Sequence, residues 1–284
     1  MKHITSLLLL AAGLMAFTSC DKIDEDKYLI FAGASGTWYE STADIPHVQR
    51  AFVEKYTGVR CINCPKADET IHAAAERYGD SLVTVAVHAR SNGFGRPLSG
   101  DPSLCTEDGD TWYDYFGINA QPAAMINRAR TGNAWDIFTP TSNFDDRINS
   151  VIRNTPPIAI MVQNTMTEES DALNSDVHIE FLENFTEELT LTVLVTEDKI
   201  YTHQSKAGEG EVENYEQNHV LRTFVTNLWG LPVEWDKTAG KKAMIRLLYN
   251  LPKNCNPRNC HVVAFVSYQG SRQIINSAEA PVVR

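Results

Sequence analysis

The sequence predicts an α/β domain followed by an all-β domain of the β-sandwich type, and two observations carry this prediction. A Cys-x-x-Cys pair, Cys61 and Cys64, lies between a strand-like run and a helix-like run. After residues 155–157, Thr-Pro-Pro, the pattern changes to short strands with no long helix between them. At 284 residues the chain is longer than one ordinary domain. We therefore expect domains over residues 45–154 and 155–284.

The composition narrows the class of protein. The formal net charge is −11, and an acidic chain of this kind argues against nucleic acid as a partner. Aromatic residues make up 9% of the chain, which together with its β-branched residues is too much for a disordered protein. The chain is therefore expected to fold around a buried core.

The sequence predicts a lipoprotein signal peptide over residues 1–19. A short basic region precedes an apolar run over residues 7–17, which is shorter than a membrane span needs. The run ends in Phe-Thr-Ser-Cys, which resembles a bacterial lipobox and predicts that Cys20 carries the lipid anchor. An ordinary signal peptide, cleaved elsewhere, is the alternative. Residues 20–44 are expected to form an acidic tether.

The α/β domain is predicted element by element. Residues 47–56 favour a strand, and Thr57-Gly58 opens the turn that leads into the cysteine pair. Pro65 suits the first turn of a helix, whose apolar residues recur at helical spacing until Gly79. Residues 80–89 are predicted to form a buried strand, because residues 82–87 are a short apolar run of mostly β-branched residues.

The second part of this domain is less regular. Residues 91–110 are rich in Gly, Pro, Ser and Asp and are expected to form a loop. A short helix is predicted over residues 111–116, a strand over 123–126 and a closing helix over 144–154.

The C-terminal domain is predicted to be a β-sandwich of immunoglobulin-like type. Its clearest strands alternate apolar and polar residues, as half-exposed antiparallel sheets do. The predicted strands cover residues 158–162, 177–181, 189–195, 244–249, 261–268 and 273–275.

The position of the cysteine pair at a helix N-terminus favours redox chemistry. Unpaired N–H groups and the helix dipole stabilise a thiolate there. In such a pair the first cysteine is the more exposed, so Cys61 is predicted to attack and Cys64 to resolve the mixed disulfide. Arg60 is a candidate for adding positive charge beside Cys61, and a solvated cation is the alternative.

Pro122 and the order of elements indicate a resemblance to thioredoxin. Thioredoxin-like folds place a cis-proline opposite the cysteine pair, directly before a strand, and residues 117–122 resemble that segment. A trans proline at a strand start is the alternative. The residues between the cysteines, Ile62-Asn63, differ from the Gly-Pro of thioredoxin. His88 ends the strand on the same side of the sheet and is a candidate modulator of the thiols, or a simple strand cap.

Cys255 and Cys260 are separated by Asn-Pro-Arg-Asn, which favours a turn. In an oxidising compartment we expect a short structural disulfide between them. Cys105 remains as a buried thiol or as a third redox partner. The histidines show no metal-binding spacing, and neither a metal nor a cofactor is predicted.

Several further segments carry a resemblance to a known family. They are the lipobox and residues 58–65, 106–110, 126–128 and 214–222. With these segments the chain resembles the outer-membrane-protein-twenty-eight-related lipoproteins of Bacteroidetes. The resemblance implies a thioredoxin-like domain followed by a β-rich domain at the cell outer membrane, facing the periplasm or the cell surface. It implies no settled activity.

Two functional hypotheses follow. The first is a lipid-anchored thiol–disulfide oxidoreductase that exchanges with thiols or disulfides of envelope proteins. The second is a non-catalytic surface lipoprotein in which the pair is a structural disulfide and the β domain binds a protein or glycan.

Overall fold

The computed structural model describes residues 37–89, 93–98, 100–141, 143–166 and 172–283. The predicted signal peptide, the predicted lipidation site Cys20 and most of the tether lie outside these residues. Within them the fold is mainly strands arranged in sheets, with a few helices. The prediction of a β-rich protein with an α/β portion is therefore confirmed.

The first α/β unit is a parallel strand pair joined by a helix. Strand β1 (Trp38–Glu40) precedes β2 (Ala51–Thr57), which leads into α1 (Cys64–Tyr78) and then β3 (Leu82–His88). Strand β2 pairs with β3 in parallel from Ala51↔Leu82 to Thr57↔His88. The crossover through α1 places the start of α1 beside the ends of β2 and β3. We call this end of the strands one edge of the sheet.

Helix α2 (Glu107–Tyr115) begins earlier than predicted. The side-chain oxygen of Thr106 accepts a hydrogen bond from the Gly109 N–H at 2.9 Å, and three acidic residues follow in the first turn. A capping threonine and acidic residues stabilise a helix N-terminus, so the predicted loop is four residues shorter than residues 91–110.

Two further elements of this half are as predicted. Strand β4 (Ala123–Ile126) pairs antiparallel with β2, and α3 (Phe144–Ile152) closes this part of the chain. A small hairpin of β5 (Arg130–Thr131) and β6 (Ala134–Trp135) lies between them.

The regular elements among the described residues of the C-terminal half are strands, apart from a short 3₁₀ turn at Pro257–Asn259. All the predicted strands of this half are present, and β10 to β13 are additional strands that the sequence did not predict. They are β7 (Ile158–Met166), β8 (Ala172–Phe181), β9 (Leu189–Glu197), β10 (Ile200–Lys206), β11 (Gly210–Gln217), β12 (Val220–Phe224), β13 (Leu231–Pro232), β14 (Lys242–Asn250), β15 (Cys260–Tyr268) and β16 (Ile274–Pro281).

One eight-stranded sheet runs through both halves of the chain. Its order is β16-β15-β9-β12-β3-β2-β4, with β13 pairing on β9. The two halves meet where β12 pairs in parallel with β3, at Val220↔Ala86. The division at residue 155 stays a prediction, and the hydrogen-bonded sheet crosses it.

The two faces of this sheet are covered differently. On one face, α2 packs its Trp112 and Tyr113 against Phe52, Leu221 and Phe265. On the other face, α1 and α3 cover β2, β3 and β4. Further along that same face, a four-stranded sheet of order β1-β14-β8-β7 packs against β9 and β15.

A buried ion pair lies under α2. The Arg128 guanidinium is 2.7 Å from a carboxylate oxygen of Glu54, and their side chains are 2% and 0% exposed. The guanidinium also lies over the rings of Trp112, Phe116 and Phe265, at 4.4, 4.8 and 5.1 Å from their centroids. Such stacking suits a planar, weakly hydrated cation.

Candidate functional site

Cys61 and Cys64 form a disulfide at the start of α1, with their Cα atoms 5.4 Å apart. Cys64 is the first residue of the helix, and its N–H donates to the Cys61 carbonyl at 3.2 Å. Pro65 occupies the first turn, where a missing N–H costs nothing. The disulfide therefore sits beside the unpaired N–H groups of a helix N-terminus.

The disulfide is buried, which the sequence did not indicate. Cys61 is 3% exposed and Cys64 is 1% exposed, whereas Ile62 between them is 53% exposed. Two segments from elsewhere in the chain cover the cysteine loop, which we define as residues 58–63.

The first cover is the hairpin β10–β11. Its Ser205 N–H donates to the Val59 carbonyl at 2.8 Å, and its Ala207 N–H donates to the Ile62 carbonyl at 3.0 Å. The buried side chain of Gln204 donates through Nε2 to the Cys61 carbonyl at 3.2 Å. The hairpin thus binds the cysteine loop through its backbone.

The second cover is the loop at residues 93–98. The Arg60 N–H donates to the Phe94 carbonyl at 2.9 Å, and the Arg60 guanidinium donates to the carbonyls of Arg96 and Pro97 at 3.2 and 2.8 Å. Gly58 is required at this contact, because a Cβ there would overlap the Phe94 carbonyl. Arg60, the predicted source of positive charge, therefore holds this loop in place.

His88 lies at the end of β3 and is 2% exposed. Neither ring nitrogen has a hydrogen-bond partner among the described residues. Burial, together with repulsion from Lys55 and Arg222, lowers the pKa of His88 to about 3. The ring is therefore neutral at physiological pH, and it makes no capping hydrogen bond to a described residue.

Cys105 lies beside this end of β3. It forms an isolated parallel bridge with His88, and its Sγ donates to the Gly95 carbonyl at 3.0 Å. The thiol therefore packs against the loop that covers the cysteine loop.

Pro122 lies at the same edge of the sheet as the disulfide. The Gln121–Pro122 peptide bond is cis. Ala123, the next residue, is opposite Tyr56 in the β2–β4 register, one residue before β2 ends. The structure thus brings Cys61, Cys64, His88 and Pro122 to one edge.

An ionic cluster beneath α1 was not found from the sequence. The Lys55 ammonium is 2.6 Å from one Asp68 oxygen, and the Lys55 side chain is 6% exposed. The Tyr215 hydroxyl donates to the other Asp68 oxygen at 3.0 Å. Burial and Asp68 raise the pKa of Tyr215. A cavity of about 300 Å³ opens beside this cluster, with His72 and His219 on its wall. Strand β11 thereby docks onto α1.

Cys255 and Cys260 are thiols in the structure, so the predicted disulfide between them is not formed there. Cys260 begins β15, whereas Cys255 precedes the 3₁₀ turn, and a hydrogen bond joins the two sulfur groups. This bond lowers the pKa of Cys255 and raises the pKa of Cys260. The structure therefore has a hydrogen-bonded thiol pair at the position of the predicted disulfide.

The fold and the site together define a β-rich α/β protein with a buried Cys-x-x-Cys disulfide at a helix N-terminus. The family model described as "Outer membrane protein Omp28" matches residues 109–283, and the chain belongs to that family. The resemblance found from the sequence is confirmed. The family is described as an outer membrane protein, so the predicted place at the outer membrane is also confirmed. No described helix is long and apolar enough to cross a bilayer.

Solved structures show a similar fold. HBP35 of Porphyromonas gingivalis matches with a TM-score of 0.65 at 17% identity, over 84% of this chain and 77% of that one. Protein AGR_C_4864 from Agrobacterium tumefaciens matches with a TM-score of 0.51 at 14% identity, over 84% and 96%. A domain of the outer membrane lipoprotein Omp28 from Porphyromonas gingivalis matches with a TM-score of 0.33 at 20% identity, over 45% and 88%. No curated protein matches the sequence.

Proposed function

We propose that this outer membrane protein carries out thiol–disulfide exchange with envelope proteins through Cys61 and Cys64, on a thioredoxin-like unit spanning residues 45–154. The observation that carries the proposal is the disulfide at the N-terminus of α1, at the sheet edge that also holds Pro122. The parallel β2–α1–β3 crossover and the antiparallel β4 support the thioredoxin-like interpretation.

The exchange uses only the two sulfur atoms of the pair and those of a partner. From the reduced form, the Cys61 thiolate attacks one sulfur of a partner disulfide, and the other partner sulfur leaves as a thiolate. The Cys64 thiolate then attacks Cys61 in the mixed disulfide, which restores the Cys61–Cys64 bond and releases the second partner thiolate. Two electrons pass to the partner, and its two sulfurs take up two protons, equal to those that Cys61 and Cys64 lose.

Access to the pair requires movement of the hairpin β10–β11. With 3% of Cys61 exposed, an attacking sulfur of a folded partner has no path to it in the observed arrangement. The bonds from Ser205, Ala207 and Gln204 to the cysteine loop are few, and most of their donors are backbone groups. Opening of the hairpin is therefore part of the proposed cycle.

The proposal is tested by trapping. A Cys64→Ser variant expressed in its native envelope should accumulate mixed disulfides through Cys61, which mass spectrometry of the captured complexes identifies. A Cys61→Ser/Cys64→Ser variant is the matched control and should capture nothing. Equal recovery from both variants, or a wild-type pair that stays oxidised in every redox buffer, would falsify the proposal.

The burial of the disulfide favours a second candidate function. On this hypothesis the bond is a structural staple of the cysteine loop, and the β-rich half binds a protein or a glycan at the cell surface. The double serine variant then melts at a clearly lower temperature but keeps its binding phenotype. Under the exchange hypothesis it loses the redox phenotype while its melting temperature changes little.

A further inference from the structure

Glu197, Cys255 and Cys260 place three metal-ligating atoms together at the end of β9, separate from the Cys61–Cys64 disulfide. One carboxylate oxygen and the two sulfurs lie within 4.8 Å of one another. Glu197 ends β9 and lies directly opposite Cys260 in the β9–β15 register. The loop that ends at the Pro257–Asn259 turn brings Cys255 to them.

The Glu197 carboxylate is ion-paired with Arg222, but one of its oxygens lacks a hydrogen bond. Its side chain is 6% exposed, and its Oε1 accepts a hydrogen bond from the Asn256 N–H at 2.8 Å. Its Oε2 is buried and has no hydrogen-bond partner in the described part of the chain, although the Arg222 guanidinium stands 3.4 Å away. Leaving a buried carboxylate oxygen without a hydrogen bond is costly, which points to a ligand for that atom.

We propose that Glu197, Cys255 and Cys260 bind one thiophilic divalent cation of the Zn²⁺ class. Thiolate sulfur and carboxylate oxygen are ligands that Zn²⁺ accepts, and thiolates select against Mg²⁺ and Ca²⁺. Three protein ligands leave a fourth position for water or another ligand.

The local charges balance with such a cation. Two thiolates and a carboxylate carry three negative charges, which a divalent cation and the Arg222 guanidinium offset. The two thiol protons are released to solvent when the cation binds. The cation then ties the loop before β15 to the end of β9, a role independent of exchange at Cys61.

Metal titration of the reduced, full-length protein in detergent tests this inference. A Cys61→Ser/Cys64→Ser background removes the other vicinal thiols as competing ligands. We expect one equivalent of Zn²⁺ to bind by calorimetry and to raise the melting temperature. Addition of Co²⁺ in its place should give the ultraviolet absorption of thiolate-to-metal charge transfer.

Variants of the three ligands assign the site. Cys255→Ser and Glu197→Gln should each weaken Zn²⁺ binding by more than the roughly 10–100-fold typical of losing an outer-shell group. Cys105→Ser is the matched control and should bind as before. Circular dichroism verifies that each variant is folded.

Three results would overturn the inference. They are no Zn²⁺ uptake by the reduced protein, unchanged affinity in Cys255→Ser, and loss of binding in Cys105→Ser. Recovery of the protein from the envelope with a Cys255–Cys260 disulfide and no bound metal would also overturn it. None of these results depends on whether Cys61 and Cys64 exchange with a partner.

Discussion

The backbone N–H of Ser205 lies 2.8 Å from the carbonyl oxygen of Val59. The hairpin β10–β11 is therefore hydrogen-bonded to the same short loop that carries Cys61. In this protein, a hairpin from the other half of the chain covers the Cys61–Cys64 disulfide at the helix N-terminus. The first prediction concerns that contact.

Removing the Gln204 side chain should expose the disulfide more often. Gln204 is 2% exposed and donates to the Cys61 carbonyl at 3.2 Å. Loss of a hydrogen bond of this kind costs about 1 kcal/mol, which raises the open population about five-fold. We expect Gln204→Ala to increase the rate at which dithiothreitol reduces Cys61–Cys64 by a similar factor, measured by thiol alkylation and mass spectrometry.

Gln273→Ala is the matched control, because Gln273 is exposed on a turn outside the hairpin. It should leave the rate of reduction at the wild-type value. Equal rates in Gln204→Ala and wild type would mean that the hairpin does not limit access.

Removing Arg128 should strongly destabilise the protein. Glu54 is fully buried, and Arg128 is its ionic partner at 2.7 Å. Arg128→Met leaves an unpaired buried carboxylate, which costs about 3–5 kcal/mol. Urea denaturation measures the loss in the free energy of unfolding.

The double variant Glu54→Gln/Arg128→Met tests the cause of that loss. It removes the uncompensated charge and should recover a large part of the stability. If the double variant is as unstable as Arg128→Met, the loss came from packing against Trp112 and Phe116 and not from charge.

His88 should make stability depend on pH in the acid range. Its pKa is lowered from about 6.5 to about 3 by burial, with repulsion from Lys55 and Arg222. Below pH 6.5 the unfolded chain binds a proton at this histidine and the folded chain does not. Stability is therefore full above pH 6.5 and falls as the pH drops toward 3. His88→Leu should make the free energy of unfolding fall less steeply over that window.

Urea denaturation at a series of pH values gives the slope of the free energy of unfolding against pH for the wild type and for His88→Leu. His72→Gln removes a histidine whose side chain is 72% exposed and should keep the wild-type slope. Parallel curves for His88→Leu and wild type would exclude a buried neutral imidazole at this position.

Two tyrosines of the hairpin should differ in their contribution to stability. The Tyr215 hydroxyl donates to Asp68 at 3.0 Å in a partly buried setting, beside the Lys55 ammonium. Tyr215→Phe removes a hydrogen bond to a charged group and should cost about 1.5–3 kcal/mol. Thermal or urea denaturation measures this cost.

The control lies on the partner strand of the same hairpin. Tyr201 donates to Glu216 at 2.9 Å but is 56% exposed, so water replaces its bond and Tyr201→Phe should change little. Similar losses in the two variants would show that the docking of β11 onto α1 does not depend on Asp68.

The sequence predicted the local part of the site well. Cys64 and Pro65 at a helix start, and a strand after Pro122, follow from propensities that act over a few residues. The hairpin was missed because Gly210–Gln217 is almost entirely polar and shows no apolar alternation. Its stability comes from contacts with the cysteine loop and Asp68, about 150 residues earlier in the chain. The spacing of apolar residues along the sequence could not reveal such contacts.

The start of α2 was a different kind of miss. Thr106 followed by Glu107, Asp108 and Asp110 is a readable helix N-terminus, with a hydroxyl cap and acidic residues in the first turn. The prediction gave more weight to Gly109 and the surrounding Gly, Pro and Ser residues, which favour a loop, than to this helix N-terminus signal. The grouping of Glu197 with Cys255 and Cys260 arises from the strand register of β9 and β15 and from the loop that carries Cys255.

The pairing of β12 with β3 has a consequence for anyone who cuts this chain into pieces. A fragment starting at residue 155 would carry β12 without the strand that satisfies its outer backbone groups, and the remaining piece would carry β3 with the same open side. Exposed strand edges recruit other chains, so each fragment would be prone to aggregate. Expression of the intact mature protein is the safer route to a soluble sample.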